Sequence, residues 1–196
     1  MKRKYKRKRK RKPFRKIICV LLVLTALIIL GVVGYNIALE RMHPIKYQNI
    51  AQAHASAYDV DVELVLAIIR CESDFDPEAK SNAGAKGLMQ LTEETFYDVR
   101  KMVGDGEDIT YESHWNDPQT NIKYGTKYIS FLIEYYKGDK IAALAAYNAG
   151  LKNVNDWLGA DKQLQIDEIE FSETEDYVKK VLESEINYKE LLKKEK

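Results

Sequence analysis

The segment Cys71-Glu72-Ser73-Asp74 gathers the groups of this 196-residue chain best suited to chemistry. Glu72 follows the apolar positions Leu64, Val65, Ile68 and Ile69. A carboxyl at the end of such a stripe is partly desolvated, which disfavours its charged form and lifts its pKa above the ordinary ~4.3. A group of that kind can donate a proton near neutral pH and later take one back, the work of a general acid and base. A glutamate near a helix end is more often a solvated surface residue, so Glu72 needs support from the rest of the chain. Asp74 lies two residues on and does not share its helix face, while Asp76 precedes a proline and reads as a cap. Cys71 as a nucleophile would need a histidine base, yet His43, His54 and His114 are scattered, and their spacing suggests no metal site either. Cys71 thus reads as a small buried residue, and Cys19, in a different kind of segment, offers it no disulfide. No cofactor is implied.

The elements that must position Glu72 are helical. Ile50, Ala53, Ala57 and Tyr58 fit a first helix of the body, and Asp61 is placed to cap a second that ends at Glu72. Asp76-Pro77 suggests a short turn of helix before a glycine-containing loop from Ser81 to Gly87. Thr92, followed by Glu93 and Glu94, is a capped and dipole-matched start for a helix to about Met102, and Gly104 and Gly106 break the chain into an exposed loop up to Trp115. Helical stripes recur from Gln119 to Tyr136, from Ile141 to Tyr147 with a stop at Gly150, over Val154 to Leu158, and from Thr174 to Leu192. No strand pattern and no internal repeat is evident.

Four segments taken together resemble the soluble, goose-type-lysozyme-like lytic transglycosylases. They are Glu72-Ser73 with Phe75-Asp76-Pro77, Gly84-Ala85-Lys86-Gly87-Leu88-Met89-Gln90, Ala145-Ala146-Tyr147-Asn148-Ala149-Gly150, and Glu173-Thr174 with Tyr177-Val178. Asp117-Pro118 and Asn121-Ile122 stand between them as in the family, and the likeness runs from about Ile50 to about Leu182. It implies a mainly α, lysozyme-like catalytic domain in which Glu72 protonates the bond after N-acetylmuramic acid and then deprotonates the sugar's own C6 hydroxyl, leaving a 1,6-anhydro ring. It also implies substrate-binding roles for Ser73, Gln90, Tyr147, Asn148 and Tyr177, with Met89 beside Leu88 as a pocket wall. Glu173 is read as a cap or tether of the last helix. Glu175 and Leu151 depart from the arginine and proline common in the family at those places.

Ordinary glycosidases use two carboxylates, and the apparent lack of a second one fits lyase chemistry. Two rival readings remain: a hydrolytic muramidase of the same fold, with Asp74 or Asp76 positioning water, and a non-catalytic wall-binding scaffold.

The charge pattern addresses location. Residues 2 to 16 hold twelve Lys or Arg, and no acid precedes Glu40; beyond residue 16, 19 basic residues face 30 acidic ones, a net −11. Ile17 to Leu39 is an uncharged run of 23 residues, about 34 Å as a helix against a hydrocarbon layer of about 30 Å. It is longer than the apolar part of a cleavable signal peptide, and no good cleavage site follows. The expected organisation is a basic cytoplasmic tip over 1–16, a transmembrane anchor over 17–39, a linker over 40–46 and a lysozyme-like domain over 47–196. The positive flank places the body outside the cytoplasmic membrane, in reach of peptidoglycan glycan strands. The basic tip then suits an anionic inner leaflet rather than nucleic acid. Partners in an envelope machine are not identified by the sequence.

Overall fold

The computed structural model describes residues 12–158 and 163–194, and the chain divides into two units, Met1–Met42 and His43–Lys196. Among its described residues the first unit is a single helix, α1 (Lys12–Met42). Its stretch Ile17–Leu39 is long and apolar enough to cross a membrane, and large side chains such as Leu22, Ile28 and Leu30 are exposed along it. The helix continues through Met42 into the expected linker, since nothing from Glu40 to Met42 breaks it. Most of the expected basic tip lies outside the described residues.

The second unit is mainly α, as expected, and among the described residues it contains no strand, only the isolated bridges Lys80↔Lys86 and Lys86↔Leu91. Its helices are α2 (Gln48–Ala57), α3 (Val62–Ser73), α4 (Glu93–Val103), α5 (Tyr111–His114), α6 (Pro118–Tyr135), α7 (Lys140–Ala149), α8 (Leu151–Trp157) and α9 (Ser172–Lys194), with a 3-10 turn at Ile166–Glu168. The most buried is α3, where Leu64 through Ile69 are all at most 1% exposed. It is covered on one side by α2 and along its length by α9. Apart from Ala67, each of these Leu, Val and Ile side chains contributes roughly 1.5–3 kcal/mol of burial, so the helix carrying Glu72 is held firmly. A satellite cluster of Leu91, Phe96, Val99, Tyr111 and Tyr124 joins α4 and α5 to α6.

Thr92 and Asp117 cap their helices as their types suggest, accepting the amide hydrogens of Thr95 and Thr120. Asp61 does not: it occupies the cap position, but its side chain makes no capping bond and its carbonyl starts the helix instead. Nor does Asp76-Pro77 open a helix, because the Asp76 carboxylate accepts the Glu78 amide and closes a turn. The segment before Trp115 is not simply exposed. It contains α5, whose Tyr111 is 3% exposed and donates its hydroxyl hydrogen to the Leu91 and Gly84 carbonyls. Helix α8 starts at Leu151, earlier than the expected Val154. At its far end α9 holds the first residues of this unit: the Tyr188 hydroxyl bonds the Pro44 carbonyl at 3.1 Å, and Asn187 meets His43 at 3.1 Å.

Candidate active site

The chain leaves α3 through Asp74 and Phe75, both in the left-handed region at φ 52° and 62°. Non-glycine residues there cost of order 1–3 kcal/mol each. Two contacts hold them in place: Arg70 pairs with Asp74 across one turn, and the Phe75 ring is buried against Tyr188. The sharp exit ends α3 immediately after Glu72-Ser73 and turns Asp74 out to solvent.

Glu72 lines a cavity of about 220 Å³ together with Cys71, Asn148, Glu173, Tyr177 and Lys180, so the ends of α3 and α7 and the first half of α9 meet there. Burial pushes the Glu72 carboxyl up to about 7, and the nearby Tyr177 phenol partly opposes the rise. That phenol approaches Glu72 closely enough to favour its charge, yet its buried hydroxyl has no partner of ordinary hydrogen-bonding geometry. Burial and the charge of Glu72 also push the neighbouring Cys71 thiol up to about 11, which leaves it protonated and a poor nucleophile.

The other expected site residues form a frame around this carboxyl. Ser73 donates its hydroxyl hydrogen to the Leu88 carbonyl at 2.8 Å, with a longer contact to Ile69, tying the end of α3 to the following loop. Met89 is fully buried and presents backbone rather than side chain: its amide donates to Asn121 Oδ1, and its carbonyl accepts the Tyr147 hydroxyl, both at 2.8 Å. Gln90, at φ 46°, spends its side-chain amide on the Ala79 and Gly87 carbonyls. Asn148 is exposed at the cavity, its Oδ1 fixed by the Thr174 hydroxyl at 2.8 Å. Thus Glu72, Asn148 and Tyr177 share the cavity, Tyr147 is close enough for its phenol to feel the charge of Glu72, and Ser73, Met89 and Gln90 brace the loop behind it.

Sequence reasoning missed several parts of the site. Asn121 is the hub of the frame: besides accepting from Met89 it donates to the Lys86 and Trp115 carbonyls, at 1% exposure. Its signal was the Asn121-Ile122 pair, seen as a family mark and not as a bond donor. Glycines serve the same hub, since a Cβ on Gly87 would run into Asn121 and one on Gly125 into the Met89 side chain. Thr174 fixes Asn148 although only its neighbour Glu173 was considered. Glu173, read as a cap or tether, lines the cavity from the first turn of α9, and Lys180 lines it unforeseen. Among the described residues no group of three or more His, Cys, Asp or Glu is placed to hold a metal ion.

Residues 49–170 match the family described as the transglycosylase SLT domain. The chain is 34% identical over 159 residues to a soluble lytic murein transglycosylase of Salmonella typhimurium, covering 79% of this chain and 24% of that protein. It is 36% identical over 132 residues to a membrane-bound lytic murein transglycosylase C of Photorhabdus laumondii, 63% of this chain and 36% of that one. Among solved structures, lytic transglycosylase Slt from Pseudomonas aeruginosa, an inactive mutant, matches at a TM-score of 0.74 and 31% identity over 79% of this chain and 26% of that chain. The 70 kDa soluble lytic transglycosylase from Escherichia coli matches at 0.73 and 33%, with the same coverages. The chain therefore spans about a quarter of the length of the soluble relatives it matches.

Proposed function

Because this chain belongs to the transglycosylase SLT family, we propose that it is a membrane-anchored lytic transglycosylase cleaving the β-1,4 bond between N-acetylmuramic acid and N-acetylglucosamine in peptidoglycan. The observation that carries the proposal is the state of Glu72: a carboxyl in a cavity, held protonated to about pH 7 by burial. In that state it can protonate the leaving glycosidic oxygen. Once ionised it can accept the C6 hydroxyl proton of the muramyl residue, so the sugar closes on itself as a 1,6-anhydro ring without water. Tyr177 stands beside the carboxyl to steady its charged form, and Asn148 and Tyr147 orient the sugar.

The candidates for a second carboxylate named from the sequence are both engaged elsewhere, Asp74 with Arg70 and Asp76 with the Glu78 amide. One observation favours the hydrolytic alternative: Glu173 lines the same cavity, where it could position water. Mass analysis of muropeptides after digestion separates the two. Anhydromuramyl ends are expected, and a majority of reducing ends would transfer the assignment to a muramidase using Glu173.

In this reading α1 fixes the enzyme in the cytoplasmic membrane, with the basic residues before it inside and the body outside. Protease added to wall-stripped cells is then expected to degrade the body and spare the extreme amino terminus; a protected body reverses the orientation.

A further inference from the structure

We propose that Lys180 is a specificity residue which recognises a carboxylate carried on the muramyl substituent of the strand. This rests on the glycan-cleaving reading above. Glu173, Tyr177 and Lys180 follow one another at i, i+4 and i+7 on α9, so one face of that helix presents an acid, a phenol and an ammonium to the cavity. The ammonium is unpaired among the described residues. Its neighbour Lys179 is held by Glu175 at 2.5 Å, and Lys140 is held by Glu185 at 2.7 Å. Asp176 and Glu183 stand one turn to either side of Lys180, both exposed, yet it forms an ion pair with neither.

Its position along the wall suggests what it does. The charge of Lys180 acts on the Cys71 thiol, whereas the influences on Glu72 are burial and Tyr177. Lys180 stands three residues beyond Tyr177 on α9, so its ammonium lines the cavity about one turn further along the helix than the phenol beside the acid. There it can meet a group projecting from the sugar ring. No other cavity-lining residue is a cation: Cys71 and Tyr177 are neutral, Asn148 is tied to Thr174, and Glu173 repels anions. A glycan of N-acetylglucosamine alone offers an ammonium neutral oxygens but no anion. A muramyl residue does, because its O3 carries a lactyl group whose carboxyl is either free or extended by a peptide with carboxylates of its own.

The test compares the full chain and Lys180→Met in steady-state cleavage of three substrates: strands bearing peptides with free carboxylates, the same strands after their carboxylates are amidated, and strands stripped of peptide so that the lactyl carboxylate is free. Lys180 is exposed, so the loss is expected at the modest end for an ion pair, a KM increase of roughly three- to tenfold with kcat nearly unchanged. The increase should occur on carboxylate-bearing strands and vanish on amidated ones, and Lys180→Arg should restore the low KM. An effect confined to peptide-bearing strands assigns the contact to the peptide; one on the stripped strands assigns it to the lactyl group. Equal KM values for wild type and Lys180→Met on all three substrates, an equal rise on amidated strands, or a fall in kcat alone would overturn the proposal. Failure of the underlying reading shows separately, in wild-type protein that cuts no strand or leaves reducing ends, and it removes both.

Discussion

The two sides of the cavity differ in how completely their polar groups are used. On the side of the loop between α3 and α4, Ser73, Met89, Gln90, Asn121 and Tyr147 are joined by bonds between side chain and backbone. On the side formed by the end of α3 and by α9, the Tyr177 hydroxyl has no regular partner, Lys180 no counter-ion among the described residues and Glu72 a proton it would lose in water. A buried polar group without a partner costs free energy, so its retention points to a role outside the fold. The motif residues thus separate into those that build the site and those left available to act.

The largest effect expected from this division is on Glu72. Glu72→Gln keeps shape and much of the hydrogen bonding but cannot exchange the proton, so turnover should fall by roughly 10² or more while the fold and glycan binding survive. Near-normal turnover in that variant would remove Glu72 from the acting side. The same variant carries a pH signature. The folded Glu72 pKa of about 7 lies above its ordinary value of 4.5, so the folded state holds a proton that the unfolded chain releases between them. Stability should therefore fall as pH rises from about 4.5 to 7, by on the order of 1–3 kcal/mol, and Glu72→Gln should abolish that slope in denaturant titrations. Activity should decline above about pH 7 as the acid form is lost.

On the building side the expected effect is on stability first. Asn121→Ala leaves the Met89 amide and the Trp115 carbonyl without their partners and takes one of two donors from the Lys86 carbonyl, a loss of about 3 kcal/mol measurable by calorimetry or urea titration. A variant of wild-type stability would show that Asn121 is no hub. Smaller and sharper is a paired comparison of the tyrosines. Tyr147→Phe removes the bond to Met89 and should cost about 1 kcal/mol, whereas Tyr177→Phe removes a hydroxyl with no regular partner and should cost no stability while slowing turnover. The comparison collapses if the two variants lose stability equally. Asp74→Asn is expected to matter least, because Asp74 is exposed and outside the cavity; turnover should stay within about threefold of wild type.

Much of this was legible in the sequence because its signals are local. The stripe Leu64, Val65, Ile68, Ile69 announced the helix and the raised acid at its end, and Thr92 announced a start that its hydroxyl fulfils. What stayed hidden depends on residues far apart in the chain. Asn121 reaches Met89 across 32 positions and Thr174 reaches Asn148 across 26, and neither pairing follows from residue type. The left-handed exit at Asp74 and Phe75 was hidden for another reason: no glycine marks it, and a local ion pair from Arg70 together with the distant ring of Tyr188 holds it. Asp76 misled because an aspartate before proline caps helices and closes turns with the same oxygen.

Helix α9 has a mechanical consequence. One uninterrupted rod of 23 residues carries Tyr177 at the cavity and, three turns further on, the bonds from Asn187 and Tyr188 to His43 and Pro44. His43 and Pro44 are also where the chain enters the body, so tension transmitted along the backbone from the amino-terminal side arrives first at these two bonds. The ring of Tyr188 in turn presses on Phe75, which holds the strained exit after Glu72. A pull at His43 would therefore load these two bonds and, through Tyr188, the exit after Glu72 before it strained the remaining helices of the body.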